Sequence, residues 1–135
     1  MLKQVSIYAE NTKGKMLEIT SALAKENINI LGSVTNDSAE YGIVRMVVSD
    51  PSKAIEVLTE GGIICKLTDV IGVEIKDEVG NLNSLLKALD DANINVDYLY
   101  LSYNRESGCP IMVMHAPDAH EVENNLKNKG FSLCE

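Results

Sequence analysis

Three cysteines and two histidines are the side chains best suited to nucleophilic or metal chemistry in this 135-residue chain: Cys65, Cys109, Cys134, His115 and His120. Their spacing argues against both uses. No Cys-x-x-Cys pair exists, so neither a redox motif nor a zinc knuckle is signalled. Cys109 and His115 fall on or beside one predicted strand and His120 on a predicted helix, which does not set them at ligand spacing. Cys109 lies between Gly108 and Pro110, the setting of a turn thiol. No Ser-His-Asp spacing, nucleophile elbow, GxGxxG or P-loop is present. The expectation is a protein that is not an enzyme, with no metal and no cofactor.

Two short loops offer a different chemistry. Asn11-Thr12-Lys13-Gly14 and Asp77-Glu78-Val79-Gly80 each end in glycine just before a predicted helix. Glycine lets the backbone approach a ligand closely. The helix start behind it presents unpaired N–H groups and partial positive charge, which suits a carboxylate. Asn11 can donate and accept hydrogen bonds, and Lys13 adds charge. Asp77 and Glu78 would instead repel an anion and suit an ammonium group. The first loop therefore ranks above the second. The plainer alternative is that both glycines only make turns and Asn11 only caps one. Arg45 is a charge in the apolar run IVRMVV, alternating with Val44 and Met46. It should point away from the helices, for a sheet interface above a bidentate ligand contact.

The elements that hold these loops occur twice. A shift of 66 residues lays GKMLEITSALAKENINI (14–30) over GNLNSLLKALDDANINV (80–96), with six of 17 positions identical. Chance pairing would give roughly one. In the first copy, QVSIYAE alternates as a strand, and Met16, Ile19 and Leu23 recur at helical spacing. INILGSV and IVRMVV are strands around a turn at SAEYG. Asp50-Pro51 opens a helix with Ala54, Val57 and Leu58 inward, and IICKL is a fourth strand. The second copy reads VIGVEI, a helix with the apolar stripe Leu82, Leu85, Leu86 and Leu89, then INVDYLYLSY, IMVMHA, a helix in PDAHEVENNLKNK, and GFSLC. Each copy is βαββαβ. The predicted fold class is α+β: two tandem ferredoxin-like units, 1–68 and 69–135, with antiparallel sheets and helices on one face.

Apolar residues are 45% and charged ones 24%, the balance of a globular protein. The net charge of −8, without a basic stripe, argues against nucleic acid as partner. The apolar runs are too short to span a membrane, and MLKQVSIYAEN lacks a signal-peptide core, so a cytoplasmic location is expected. The stretch YLYL (98–101) is apolar on both faces while helices cover one. A second sheet from another copy should cover the other, which makes Arg45, Tyr98 and Tyr100 interface candidates and a homodimer the expected assembly.

The unit size, the glycine opening the first helix and the L-a-x-x-N-I-N-I at its end resemble the ACT domain family. SIYAENTKGKMLEITSALAKENINI, YGIVRMVVSDPSKA and TDVIGVEI resemble small stand-alone proteins made of two ACT domains, over nearly the whole chain. The resemblance implies regulatory binding of a small molecule, most often an amino acid, at an interface against the loop after the first strand. Carried onto this chain, the ligand-binding set is Asn11, Thr12, Lys13, Gly14, Lys15 and Met16, with Asp77, Glu78, Val79, Gly80 and Leu82 in the second unit. Family members often have Pro-Gly where this chain has Lys-Gly and Val-Gly. The implied function is regulation of amino-acid metabolism in trans. The alternative is a module that docks on a partner enzyme without a small ligand. A concave pocket beside Gly14 or Gly80 favours the first reading, and a flat, filled surface the second. Gly14→Val is expected to abolish binding and leave the fold intact.

Overall fold

The computed structural model describes residues 1–10, 12–36 and 41–135. Asn11 and most of the SAEYG turn lie outside them. The described chain divides into two units, Lys3–Thr68 and Asp69–Glu135, the latter together with Met1 and Leu2.

The N-terminal unit contains β1 (Leu2–Glu10), α1 (Lys15–Lys25), β2 (Ile30–Asn36), β3 (Tyr41–Val48), α2 (Pro51–Glu60) and the start of β4 (Ile64–Glu74). Its strand order is β2-β3-β1-β4. Period-two alternation aims Val5, Ile7 and Ala9 of β1 and Val44, Met46 and Val48 of β3 into one core. There they meet Ile19 and Leu23 of α1 and Ala54 and Leu58 of α2. Arg45 thus lies on the opposite face, as its alternation predicts, and is half-buried. On that face Ser6 bonds Thr68 through their hydroxyls at 2.9 Å, and the buried Gln4 donates to Ser6 at 3.0 Å.

The C-terminal unit repeats the plan with the end of β4, α3 (Asn81–Asp91), β5 (Tyr98–Tyr103), β6 (Pro110–His115), α4 (Ala119–Asn128) and β7 (Ser132–Cys134). β4 lies between β6 and β7, and β5 lies outside β6. Ile71, Val73, Met112 and Met114 pack against Leu85, Leu89, Val122 and Leu126. IICKL and VIGVEI are not two strands across a linker. They are one strand, β4, which runs straight through Thr68-Asp69, where the side-chain alternation breaks. The segment 94–97, expected as strand, lies outside β5. The stripe on α3 is only half sunk: Leu85 and Leu89 are buried, but Leu82 and Leu86 are each 39% exposed. The apolar arc of α3 is wider than the contact it makes with its sheet.

The four helices among the described residues stop the same way. Asn27, Gly62, Asn93 and Gly130 take positive φ just after the last turn. At α1, Asn27 N–H donates to Ala24 and Ile28 N–H to Leu23, and at α2 and α4 the matching bonds follow Gly62 and Gly130. At α3, Asn93 N–H donates to Asp90 and Ile94 N–H to Leu89. This is the Schellman pattern, and asparagine is among the few non-glycine residues that accept its left-handed position. The repeated Asn-Ile-Asn is therefore a helix stop joined to a core residue: Ile28 is buried, and Ile94 packs against the second core.

Candidate functional site

The loop ahead of α1 and the loop ahead of α3 are built alike. Thr12 N–H donates to Glu10 O at 2.8 Å and Lys15 N–H to Thr12 O at 3.2 Å. In the second unit, Glu78 N–H donates to Lys76 O at 2.9 Å and Asn81 N–H to Glu78 O at 3.2 Å. Gly14 (φ 86) and Gly80 (φ 88) sit at the N-cap in the left-handed region, where other residues are strained. No side chain caps either helix. The other two helices are capped, α2 by the Asp50 carboxylate on Lys53 N–H and α4 by Asp118 on Glu121 N–H, each at 3.2 Å. The orphan donors of a helix start are left to other partners only at the glycine loops.

A cavity of about 240 Å³ opens beside the first of these loops. Its rim is Glu10, Thr12, Gly14 and the first turn of α1, Lys15–Leu17, and its floor is Ala9, Thr35, Gly42 and Val44. Small residues on three strands create the hollow: Ala9 and Gly42 are register partners, and Thr35 pairs with Val44. The volume is below the range of about 300–1,000 Å³ that takes drug-sized ligands. The lining is mainly apolar, and Met16 and Leu17 present 39% and 69% of their surface to solvent. The lining also carries polar groups. They are the uncapped helix start, the Lys15 ammonium (3.3 Å from Glu18), the Thr12 and Thr35 hydroxyls and the Glu10 carboxylate.

A family model described as an ACT domain pair matches residues 1–131. The chain belongs to the ACT domain pair family. Among solved structures, protein BT0572 from Bacteroides thetaiotaomicron is 32% identical with a TM-score of 0.89, over 98% of this chain and 91% of that one. The ligand-free regulatory subunit of aspartate kinase from Thermus thermophilus shares the fold at 16% identity and a TM-score of 0.66, over 93% and 90%. Aspartokinase alpha and beta subunits do so at 16% and 0.59, over 95% and 96%. Among curated proteins none matches. No catalytic family is indicated.

In the first ACT unit the cavity brings together Thr12, Gly14, Lys15 and Met16 of the expected set. Lys13 is exposed and does not line it. The sequence reading passed over Ala9, Glu10, Leu17, Thr35, Gly42 and Val44. For Ala9, Thr35 and Gly42 the one sequence signal is small size on strands next to the loop. Gly14→Val is not the clean probe expected. A Cβ there meets nothing within 4 Å, but φ 86 strains any branched residue, so stability falls along with binding.

In the second ACT unit, Asp77, Glu78, Val79, Gly80 and Leu82 are all exposed. A cavity of about 240 Å³ touches the start of α3, lined by Ile75, Lys76, Asn81, Ser84 and Phe131 among others, and includes none of those five. Tyr100 is buried within the chain. Tyr98 stacks on His115 with centroids 5.3 Å apart, and His115 Nδ1 lies 2.8 Å from Asp97 Oδ2. The three cysteines are free, and no metal-holding group exists among the described residues. No described helix is long and apolar enough to cross a membrane.

The loop between β5 and β6 is tied to Glu74. Its carboxylate accepts from Ser107 Oγ at 2.7 Å and from Asn104 Nδ2 at 3.1 Å. The Ser107 bond, followed by that of Asn104, holds the Glu74 carboxyl below its ordinary value, while burial and Glu74's charge push the Cys134 thiol up. With Glu74 depressed, the unfolded chain takes the proton first as pH falls. The stabilisation is complete above the unfolded pKa and is lost as pH drops through the folded one. Glu74→Gln should therefore lower the melting temperature near neutral pH and melt like the parent at strong acid. Parallel pH profiles for the two proteins would refute this.

Proposed function

We propose that this ACT pair is a non-catalytic regulatory protein that binds a small amino acid and regulates amino-acid metabolism in trans. The observation that carries the reading is the hollow against the uncapped start of α1. Its two kinds of lining match the two ends of an α-amino acid. The helix N–H groups and Lys15 suit the carboxylate. Glu10 suits the ammonium, and Ala9, Met16, Leu17 and Val44 suit an apolar side chain. The likeness in fold to regulatory subunits of aspartate kinase supports a regulatory role.

A thermal-shift screen against the twenty amino acids, each at millimolar concentration, tests it. A ligand at about 100 times its dissociation constant stabilises the native state by ~2.7 kcal/mol, a shift of several degrees for a chain of this size. One amino acid, or a few related ones with uncharged side chains, should raise the melting temperature. Silence across the panel would favour the second reading, a module that docks on a partner enzyme. The exposed apolar residues Val79, Leu82, Leu86 and Leu101 of the C-terminal unit speak for that one.

A further inference from the structure

The two units are superimposable in plan, so each residue of the cavity has a counterpart 66 positions on in β1, α1 and β2, and one set by strand register in β3. Ala9 corresponds to Ile75 and Thr35 to Leu101. Gly42 pairs with Ala9, and Ile75 N–H donates to Pro110 O, so Gly42 corresponds to Pro110. At every one of these floor positions the C-terminal unit carries the larger, more apolar residue. Ile75 packs against the second core and Pro110 is buried, while Leu101 is 46% exposed. The charges at the rim change as well. Lys15 becomes Asn81, Thr12 becomes Glu78, and Glu10 becomes Lys76. The glycine, its left-handed backbone and the uncapped helix survive in both units, but the cavity at the second helix start, lined by Ile75, Lys76 and Asn81, takes in none of the loop residues 77–80.

We propose that the pair is one-sided: the N-terminal unit binds one amino acid per chain, Thr35 and its small neighbours keep the site open, and Ile75, Leu101 and Pro110 close the equivalent place in the C-terminal unit. A loop of the same backbone thus serves as a ligand cradle in one copy and as plain structure in the other. This inference rests on the amino-acid reading above. It separates from that reading because it fixes the stoichiometry and the unit.

The test is calorimetric titration of the whole chain with whichever of the twenty amino acids gives the largest melting shift. One equivalent per chain is expected. Thr35→Leu, which copies Leu101 onto a strand position that tolerates it, should weaken binding by about tenfold or more at an unchanged melting temperature. Should that variant melt early, Lys15→Asn, which copies Asn81, gives the same reading without touching the floor. Leu101→Asp in the C-terminal unit should leave affinity as it is. Two equivalents per chain, undiminished affinity in both first-unit variants, or loss of binding in Leu101→Asp would overturn the proposal and leave the amino-acid reading standing. No binding by any of the twenty would overturn both.

Discussion

Gly14→Asp should weaken amino-acid binding well beyond Gly14→Asn, which should keep it within a few fold, at nearly equal melting temperatures. The two side chains have almost the same shape. Both accept the left-handed backbone that Gly14 adopts at φ 86, for which most L-residues lose roughly 1–2 kcal/mol. An added Cβ meets nothing within 4 Å, so neither variant clashes with the protein. What differs is one negative charge at the mouth of the helix. Aspartate is favourable there for the helix itself, so the added charge does not set its stability below that of the asparagine variant. For a ligand carboxylate at about 4 Å the repulsion is between ~1 and ~4 kcal/mol, depending on the effective dielectric. That weakens binding by about fivefold to about a thousandfold. Titration and melting curves on the pair of variants give the answer. Equal affinity in the two would place the carboxylate elsewhere, and equal loss in both would mean that any side chain at residue 14 fills the approach.

The backbone of this loop was legible in the sequence, and the cavity beside it was not. Gly14 and Gly80 recur at the repeat spacing and announce the turn, and Asn27 and Asn93 recur for a reason the structure supplies, the left-handed stop of each helix. Asp50 is readable as a cap because a carboxylate before a proline-led helix has one common use, and Asp118 turns out to cap α4 in the same way. The floor residues Ala9, Gly42 and Thr35 carry no chemistry in their side chains. Their contribution is the volume they do not fill, and that shows only when three strands are placed side by side. The same blindness made Leu82 and Leu86 look like core. Helical spacing identifies an apolar face but says nothing of how much of it a partner covers. The alternation lapses at Thr68-Asp69 and so reads as a break, whereas an extended backbone needs no particular side chains to continue through it.

Leu23→Ala should have the largest effect on stability, and it should remove binding by a different route. Leu23 is fully buried among the apolar side chains of β1, β3 and α2, and its carbonyl accepts the Ile28 N–H that closes α1. Truncation of such a leucine costs about 2–5 kcal/mol, the lost transfer energy plus the cavity left behind. A unit of this size buries only about 60% of its unfolded surface and has little margin. At roughly 4–8 °C per kcal/mol for so small a unit, its melting temperature should fall by about 10 °C or more. Leu17→Ala, on the same helix but 69% exposed at the cavity rim, should change stability by no more than about 0.5 kcal/mol and reduce affinity instead. The two variants part under excess ligand. Mass action returns ~2.7 kcal/mol at about 100 times the dissociation constant, so a saturating amino acid should refold much of Leu23→Ala and restore its binding signal. For Leu17→Ala, more ligand should restore occupancy along an ordinary isotherm with no refolding step. A Leu23→Ala protein that stays folded yet fails to bind would show that the floor of the site depends on this residue's packing, and not on the survival of the unit around it.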